Sequence, residues 1–230
     1  MRVLITGAAG KVGSTLVRGM RDRYVLRGID RAPMPDLEDA IVGDTADFDT
    51  MLRATEGMDA IIHLAGGQGE WGQVLNNISG TYNVLETARL NNVRRVAYAS
   101  RGGVLPRSFY PRTVQRTVDM LPRPDSYYSV GKVFAENLGY MYSARFDMEF
   151  VAVRIGNYNP DREHPEHPHH LGHRDCVQVF ERAITHPGVK YEIVFGVSDS
   201  NWPLYDLDHG RKAIGYDPQE RSELPESEWI

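Results

Sequence analysis

The chain has one cysteine, Cys176, in 230 residues. That excludes an intrachain disulfide framework and suits a reducing, cytoplasmic setting. Long apolar runs are missing too. The opening Met1-Arg-Val-Leu-Ile-Thr-Gly7 is stopped by glycine, well short of a signal-peptide core or a membrane span. Nor is there an excess of positive charge. Lys and Arg number 26 against 31 Asp and Glu, giving a formal net charge of -5 and an isoelectric point near 5.9. That balance argues against a nucleic-acid or anionic-membrane partner. Internal repeats and low-complexity linkers are absent. What is present, 41% hydrophobic and 25% charged residues, is the composition of a globular domain with a substantial core.

Val3–Ile5, Tyr24–Ile29, Ala40–Val42, Asp59–Ala65, Val93–Ala99 and Glu149–Ile155 read as buried strands. Between them, Ser14–Met20, Asp47–Thr55, Val74–Leu90 and Tyr127–Phe146 read as helices. Strands alternating with helices predict an α/β fold, a Rossmann-type doubly wound parallel sheet with its ligand at the strand C-termini. The expected organisation is a Rossmann core over residues 1–156 and a small C-terminal substrate lobe over 157–230, within one compact unit. The lobe is built from a helix at 174–185, a strand at Tyr191–Phe195 and a helix at Asp206–Ile214.

Gly7-Ala-Ala-Gly10-Lys-Val-Gly13 directly follows the first strand. Glycines at a strand-to-helix junction let backbone approach a pyrophosphate, whose charge the helix N-terminus stabilises. A tight turn without a ligand is the alternative. Asp30 ends the second strand about 20 residues on, where a carboxylate accepts hydrogen bonds from adenosine ribose hydroxyls. It favours NAD over NADP because it repels a 2′-phosphate; Arg31 and Lys11 pull the other way. Gly66 and Gly67 follow the fourth strand and again let backbone near a ligand. His63, inside that apolar run, reads as a satisfied core histidine.

Tyr128-Ser-Val-Gly-Lys132 is the second constellation. Positions four apart share a helix face, and a cation beside a phenol favours phenolate. Tyr128 is thus a candidate acid or base near neutral pH. Residues 157–172 are polar and carry His164, His167, His169 and His170 with prolines between them. Lacking cysteine and a helical i,i+4 frame, this stretch predicts a mobile loop at the substrate mouth rather than a metal site. Cys176 reads as a core residue.

Gly7-x-x-Gly10-x-x-Gly13, Asp30, Asp44, His63-Leu-Ala65, Asn77 and Tyr128-x-x-x-Lys132 together resemble the extended short-chain dehydrogenase/reductase family, the NAD-dependent epimerase/dehydratases. Arg123-Pro-Asp125, Glu136-Asn-Leu138, Val153-Arg-Ile-Gly156 and Gly215-Tyr216-x-Pro218 are similar to its uronate dehydrogenase subgroup. The resemblance covers nearly the whole chain. It implies an NAD-dependent oxidoreductase acting on a hydroxyl of a sugar or sugar acid. Tyr128 would exchange the proton of the reacting hydroxyl, while Lys132 would hold the nicotinamide ribose and lower the phenol pKa. NAD would meet Gly7, Ala9, Gly10, Lys11, Val12 and Gly13, then Asp30, Arg31, Asp44 and Thr45. Leu64, Ala65, Gly66, Asn77, Ser100, Tyr128, Lys132 and Ile155 would complete its site. Arg154 would grip a substrate carboxylate with its fork of donors, or tie the strand end to the small lobe. A homodimer through the helices at Val74–Leu90 and Tyr127–Phe146 is implied as well, with Phe134, Leu138 and Met141 available either to it or to burial against the monomer's own sheet.

The chain departs from the family beside the fifth strand. The usual catalytic Ser or Thr aligns with Arg101, with Ser100 one residue earlier. The neighbouring substrate-contacting positions hold Gly102 and Gly103, and Gln68 replaces a serine of the pocket. Arg101 would supply positive charge to the substrate oxygen or carboxylate, Ser100 would shift into place, or the triad is broken. An epimerase or dehydratase, and a catalytically weak NAD-binding sensor, therefore stand beside the dehydrogenase.

Overall fold

The computed structural model describes residues 1–202, 204–225 and 228. Its seven-stranded sheet is wholly parallel: β1 (Arg2–Thr6), β2 (Val25–Asp30), β3 (Asp39–Val42), β4 (Ala60–His63), β5 (Arg95–Arg101), β6 (Glu149–Ile155) and β7 (Tyr191–Gly196). The spatial order is β3-β2-β1-β4-β5-β6-β7, so the winding reverses between β1 and β4. A crevice opens at their C-terminal ends for that reason.

Helices α1 (Lys11–Met20) and α5 (His173–Thr185) cover one face, where Leu16 and Met20 pack with Val179 and Phe180. Helices α2 (Phe48–Thr55), α3 (Trp71–Leu90) and α4 (Tyr127–Phe146) cover the other, around Met51, Val84, Leu85 and Tyr142. With both faces covered, Val3, Leu4 and Ile5 of β1 are fully buried, which is why the strands read as continuous apolar runs. Helix α6 (Asp208–Ile214) packs on β7, and two short strands, β8 (Asp199–Ser200) and β9 (Arg221–Ser222), pair beside it.

Local chemistry sets the element ends. Asp47 caps α2 by accepting from the Thr50 N–H at 2.7 Å, and Ser126 caps α4 by accepting from Ser129 at 3.3 Å. A side-chain cap of this kind contributes about 1 kcal/mol, and the second places Tyr128 in the first turn of α4. Helix α1 starts at Lys11, earlier than Ser14, because extended Gly10 serves as its cap. Strand β5 starts and ends two residues later than expected. Asn92 is still in a left-handed turn (φ 59°), and pairing with β6 continues to Arg101 opposite Ile155. Residues 104–125 wrap around Arg116, a 2% exposed side chain that donates to the carbonyls of Tyr110, Pro111 and Val114.

Candidate active site

Gly7 leaves β1 with φ +71°, and a Cβ there would lie 2.8 Å from the Ala65 nitrogen. A Cβ on Gly13 would lie 2.2 Å from the Gly7 carbonyl oxygen. Only glycine lets this turn close against both β4 and the start of α1. The turn and residues Leu64–Gly67 line two cavities that share Gly7, Gly10, Leu64, Gly66 and Gly67, and so form one groove. One end, about 220 Å³, passes Asp30, Arg31, Asp44, Thr45, Ala65 and Asn77. The other, about 620 Å³, passes Lys11, Val12, Gly13, Gln68, Ser100, Arg101, Tyr128, Lys132 and Ile155.

Hydrogen bonds fix the narrow end. The Asp30 carboxylate accepts from the Ala9 N–H at 3.1 Å and the Ala32 N–H at 3.0 Å. Ala9 thereby holds the rim and lines neither cavity. Asp44 accepts from the Ala46 N–H at 2.9 Å. Asn77 brackets the backbone of Gly67, accepting from its N–H at 3.2 Å and donating to its carbonyl at 2.8 Å. His63 lies below, 1% exposed, with Nδ1 on the Thr6 hydroxyl at 2.7 Å and Nε2 on that of Thr81 at 3.2 Å. Burial and the nearby Lys132 charge pull it down to about 3. It is a neutral core histidine.

At the wide end, Lys132 is 4% exposed and donates to the Ala99 carbonyl at 2.6 Å. Its Nζ lies 5.2 Å from the Tyr128 ring centre, and the Arg101 guanidinium carbon lies 5.3 Å from the same ring. The expected lowering of the Tyr128 pKa is not the outcome. Burial raises it, and the opposing charge is that of Arg101. Burial, joined by the Arg101 charge, also pulls Lys132 down to about 7. Desolvation therefore outweighs the phenol–ammonium attraction read from the spacing alone.

Strand parity separates Ser100 from Arg101. Successive side chains on β5 point to opposite faces: Arg101 looks over Tyr128, while the Ser100 hydroxyl donates to Glu136 at 2.6 Å. The same Glu136 carboxylate accepts from Arg154 Nε and Nη2, both at 2.9 Å, with both side chains nearly inaccessible. Arg154 also donates to the Val118 carbonyl. Arg154 thus lines neither cavity, and its fork closes on α4, not on a substrate carboxylate or the small lobe. Gly102 lines a third cavity beside Arg101, with Arg107, Asn157, His169 and Tyr205.

The histidine stretch is folded onto the end of β6. The Asn157 N–H donates to the His169 carbonyl and the Leu171 N–H to the Asn157 carbonyl, and a Cβ on Gly156 would meet the His169 carbonyl at 2.2 Å. The His167 and His169 rings pack 3.9 Å apart, and burial holds them near 4 and 3. Among the described residues no three His, Cys, Asp or Glu side chains form a metal-binding group. Asn76, Gln73, Asn157 and Tyr158 also line the groove, and none carries a motif that would have singled it out. For Asn76, adjacency to Asn77 was the available signal.

The sequence profile of the NAD dependent epimerase/dehydratase family matches residues 3–187. The chain belongs to that family. The NAD-dependent glucose-6-phosphate dehydrogenase of Haloferax volcanii is 36% identical to it, covering 96% of this chain and 94% of the relative. The uronate dehydrogenase of Pseudomonas syringae pv. tomato is 34% identical, covering 97% and 83%. A crystal structure of a uronate dehydrogenase mutant from Agrobacterium tumefaciens complexed with NAD superposes with a TM-score of 0.88 at 30% identity, covering 96% and 85%. The expected family, doubly wound fold and class of NAD-dependent enzyme are those of these relatives. Among the described residues no helix is long and apolar enough to cross a membrane.

Proposed function

We propose that the protein oxidises a hydroxyl of a sugar or sugar acid with NAD, Tyr128 taking the hydroxyl proton. The observation that carries this reading is convergence. Tyr128, Lys132 and Arg101 meet at one end of the groove whose other end is Asp30 and whose middle is the glycine turn. The groove fits NAD: a Cβ on Gly13 would fill the turn where backbone must approach the phosphates, and Asp30 keeps acceptor capacity for ribose hydroxyls. Gly10, Lys11 and Val12 would hold the phosphates, and Lys132 and Ile155 the nicotinamide end. When bound, NAD supplies the hydride acceptor.

The residues supply the rest. Tyr128 is half-buried, so its phenol is shielded from bulk water and exchanges its proton with the hydroxyl set against it. Arg101 replaces the usual hydroxyl with a fixed positive charge, which stabilises negative charge on the reacting oxygen in a partly dry site. Lys132, anchored on Ala99 by one N–H, keeps at least one more for hydroxyls in the groove. Relatives named for glucose 6-phosphate and for uronates support a substrate among sugars and sugar acids. We further propose a homodimer through α3 and α4, where Tyr82, Tyr127 and Phe134 stand exposed, and a cytoplasmic location consistent with the single buried thiol. The test is NADH formation from NAD with a panel of aldoses, aldose phosphates and uronic acids. Turnover of at least one is expected; tight NAD binding with none turned over would move the protein to a sensor.

A further inference from the structure

We infer that the cavity beside Arg101 is a phosphate subsite and that the substrate is a sugar phosphate, a reading that rests on the dehydrogenase assignment above. This cavity, about 390 Å³, joins the groove through Arg101, Gly156 and Asn157. A molecule reaching Tyr128 therefore extends naturally into it. Its lining carries Arg101, Arg107 and Arg116 against one carboxylate, Asp125. With Arg101 directed at the reacting oxygen, Arg107 and Arg116 less Asp125 leave one positive charge, and Arg112, whose field reaches both arginines, brings the surplus to two. Among the described residues none of these four arginines makes an ion pair, whereas Arg27, Arg95 and Arg154 are each paired with a carboxylate.

The donors are also arranged. Arg116 gives its N–H groups to loop carbonyls, so it contributes field and not contact. Arg107 Nη2 meets His169 Nε2 at 2.6 Å. Arginine stays protonated, so His169 must accept and carries its proton on Nδ1. His169 thus aims Arg107 while leaving its other N–H groups to the cavity. Gly103 completes the arrangement: a Cβ there would lie 2.5 Å from Arg101 Nε, so the glycine is what lets Arg101 lie between the two cavities. The Asp125 carboxylate is turned to the Ser108 hydroxyl at 3.5 Å. A phosphate, with about -1.5 to -2 charge at neutral pH and three acceptor oxygens, matches this surplus; the single charge of a uronate carboxylate leaves part of it uncompensated.

The experiment compares glucose 6-phosphate, glucuronate and glucose as substrates of the wild type, Arg107→Gln and Arg107→Lys, with calorimetric binding of inorganic phosphate alongside. The wild type should prefer glucose 6-phosphate over glucose in kcat/KM by about 100-fold, and Arg107→Gln should lower that preference about 10-fold or more through KM. Arg107→Lys should restore part of it, which a merely structural role would not show. Turnover of glucose or glucuronate at least equal to that of the phosphate would overturn the subsite and leave the dehydrogenase standing. Phosphate binding that Arg107→Gln abolishes, with no sugar oxidised, would support the subsite and sink the dehydrogenase.

Discussion

Tyr128 is subject to two opposing effects. Burial raises its pKa and the Arg101 guanidinium lowers it. The net direction is up from a usual value of ~10, so the phenolate that the proposed oxidation would use is a minor species at neutral pH, and oxidation should accelerate as pH rises from 7 to 9. Removing Arg101 deletes the lowering charge. Arg101→Gln should therefore move the rising limb of kcat/KM to higher pH and cost about tenfold or more at pH 8, since the charge on the reacting oxygen also loses its partner. A pH profile of NADH formation checks this; a limb that stays in place or moves to lower pH would contradict it. Placements that depend on local spacing were readable from the chain. Gly7, Gly13, Asp30, Tyr128 and Lys132 sit where their spacing put them. Ser100 was not readable, because its direction depends on β5 running through Arg101 and not ending at Ala99. Shifting a strand end by two residues decides whether a side chain lies in a turn or points, by parity, into the sheet–helix layer.

Helix α4 carries Tyr128, Lys132 and Glu136 at successive i,i+4 steps. The first two line the groove, and the third draws in Ser100 from β5 and Arg154 from β6 beneath it. This buried cluster sets the position of α4 against the two strands whose ends form the site. Breaking it from one side leaves the Arg154 charge uncompensated among apolar groups. Glu136→Gln should therefore lower unfolding free energy by about 3–5 kcal/mol, measured by urea denaturation at pH 7. A loss below ~1 kcal/mol would show that the cluster does not hold the helix. None of this was legible in the sequence, since Glu136 finds Arg154 and Ser100 at separations of 18 and 36 residues, and no local pattern encodes such a pairing. The same holds for Arg107 and His169, 62 residues apart.

At the scale of the whole molecule, the alternation of strands and helices was enough to expect the parallel sheet and a ligand at its strand C-termini; the reversal between β1 and β4 came only with the strand order. The β8–β9 pair escaped because two residues per strand carry no periodicity, and the tail that forms it also supplies Glu220, which caps α5 through the N–H groups of Arg174 and Asp175. The exposed faces of α3 and α4 remain apolar: Tyr82 is 46% exposed, Tyr127 55% and Phe134 39%. A dimer covering them should convert to monomer on Phe134→Glu, because a carboxylate would be buried unpaired; light scattering would read the change, and a monomeric wild type would remove the dimer. The account rests above all on Tyr128 acting chemically in a groove that holds NAD. The decisive measurement is NADH formation from glucose 6-phosphate at pH 9 by wild type and Tyr128→Phe, with NAD affinity determined for both. The account predicts a loss of about 100-fold or more in kcat at an NAD affinity within about twofold of wild type, because the phenol oxygen is removed while the glycine turn and Asp30 are untouched. Full activity in Tyr128→Phe would contradict it.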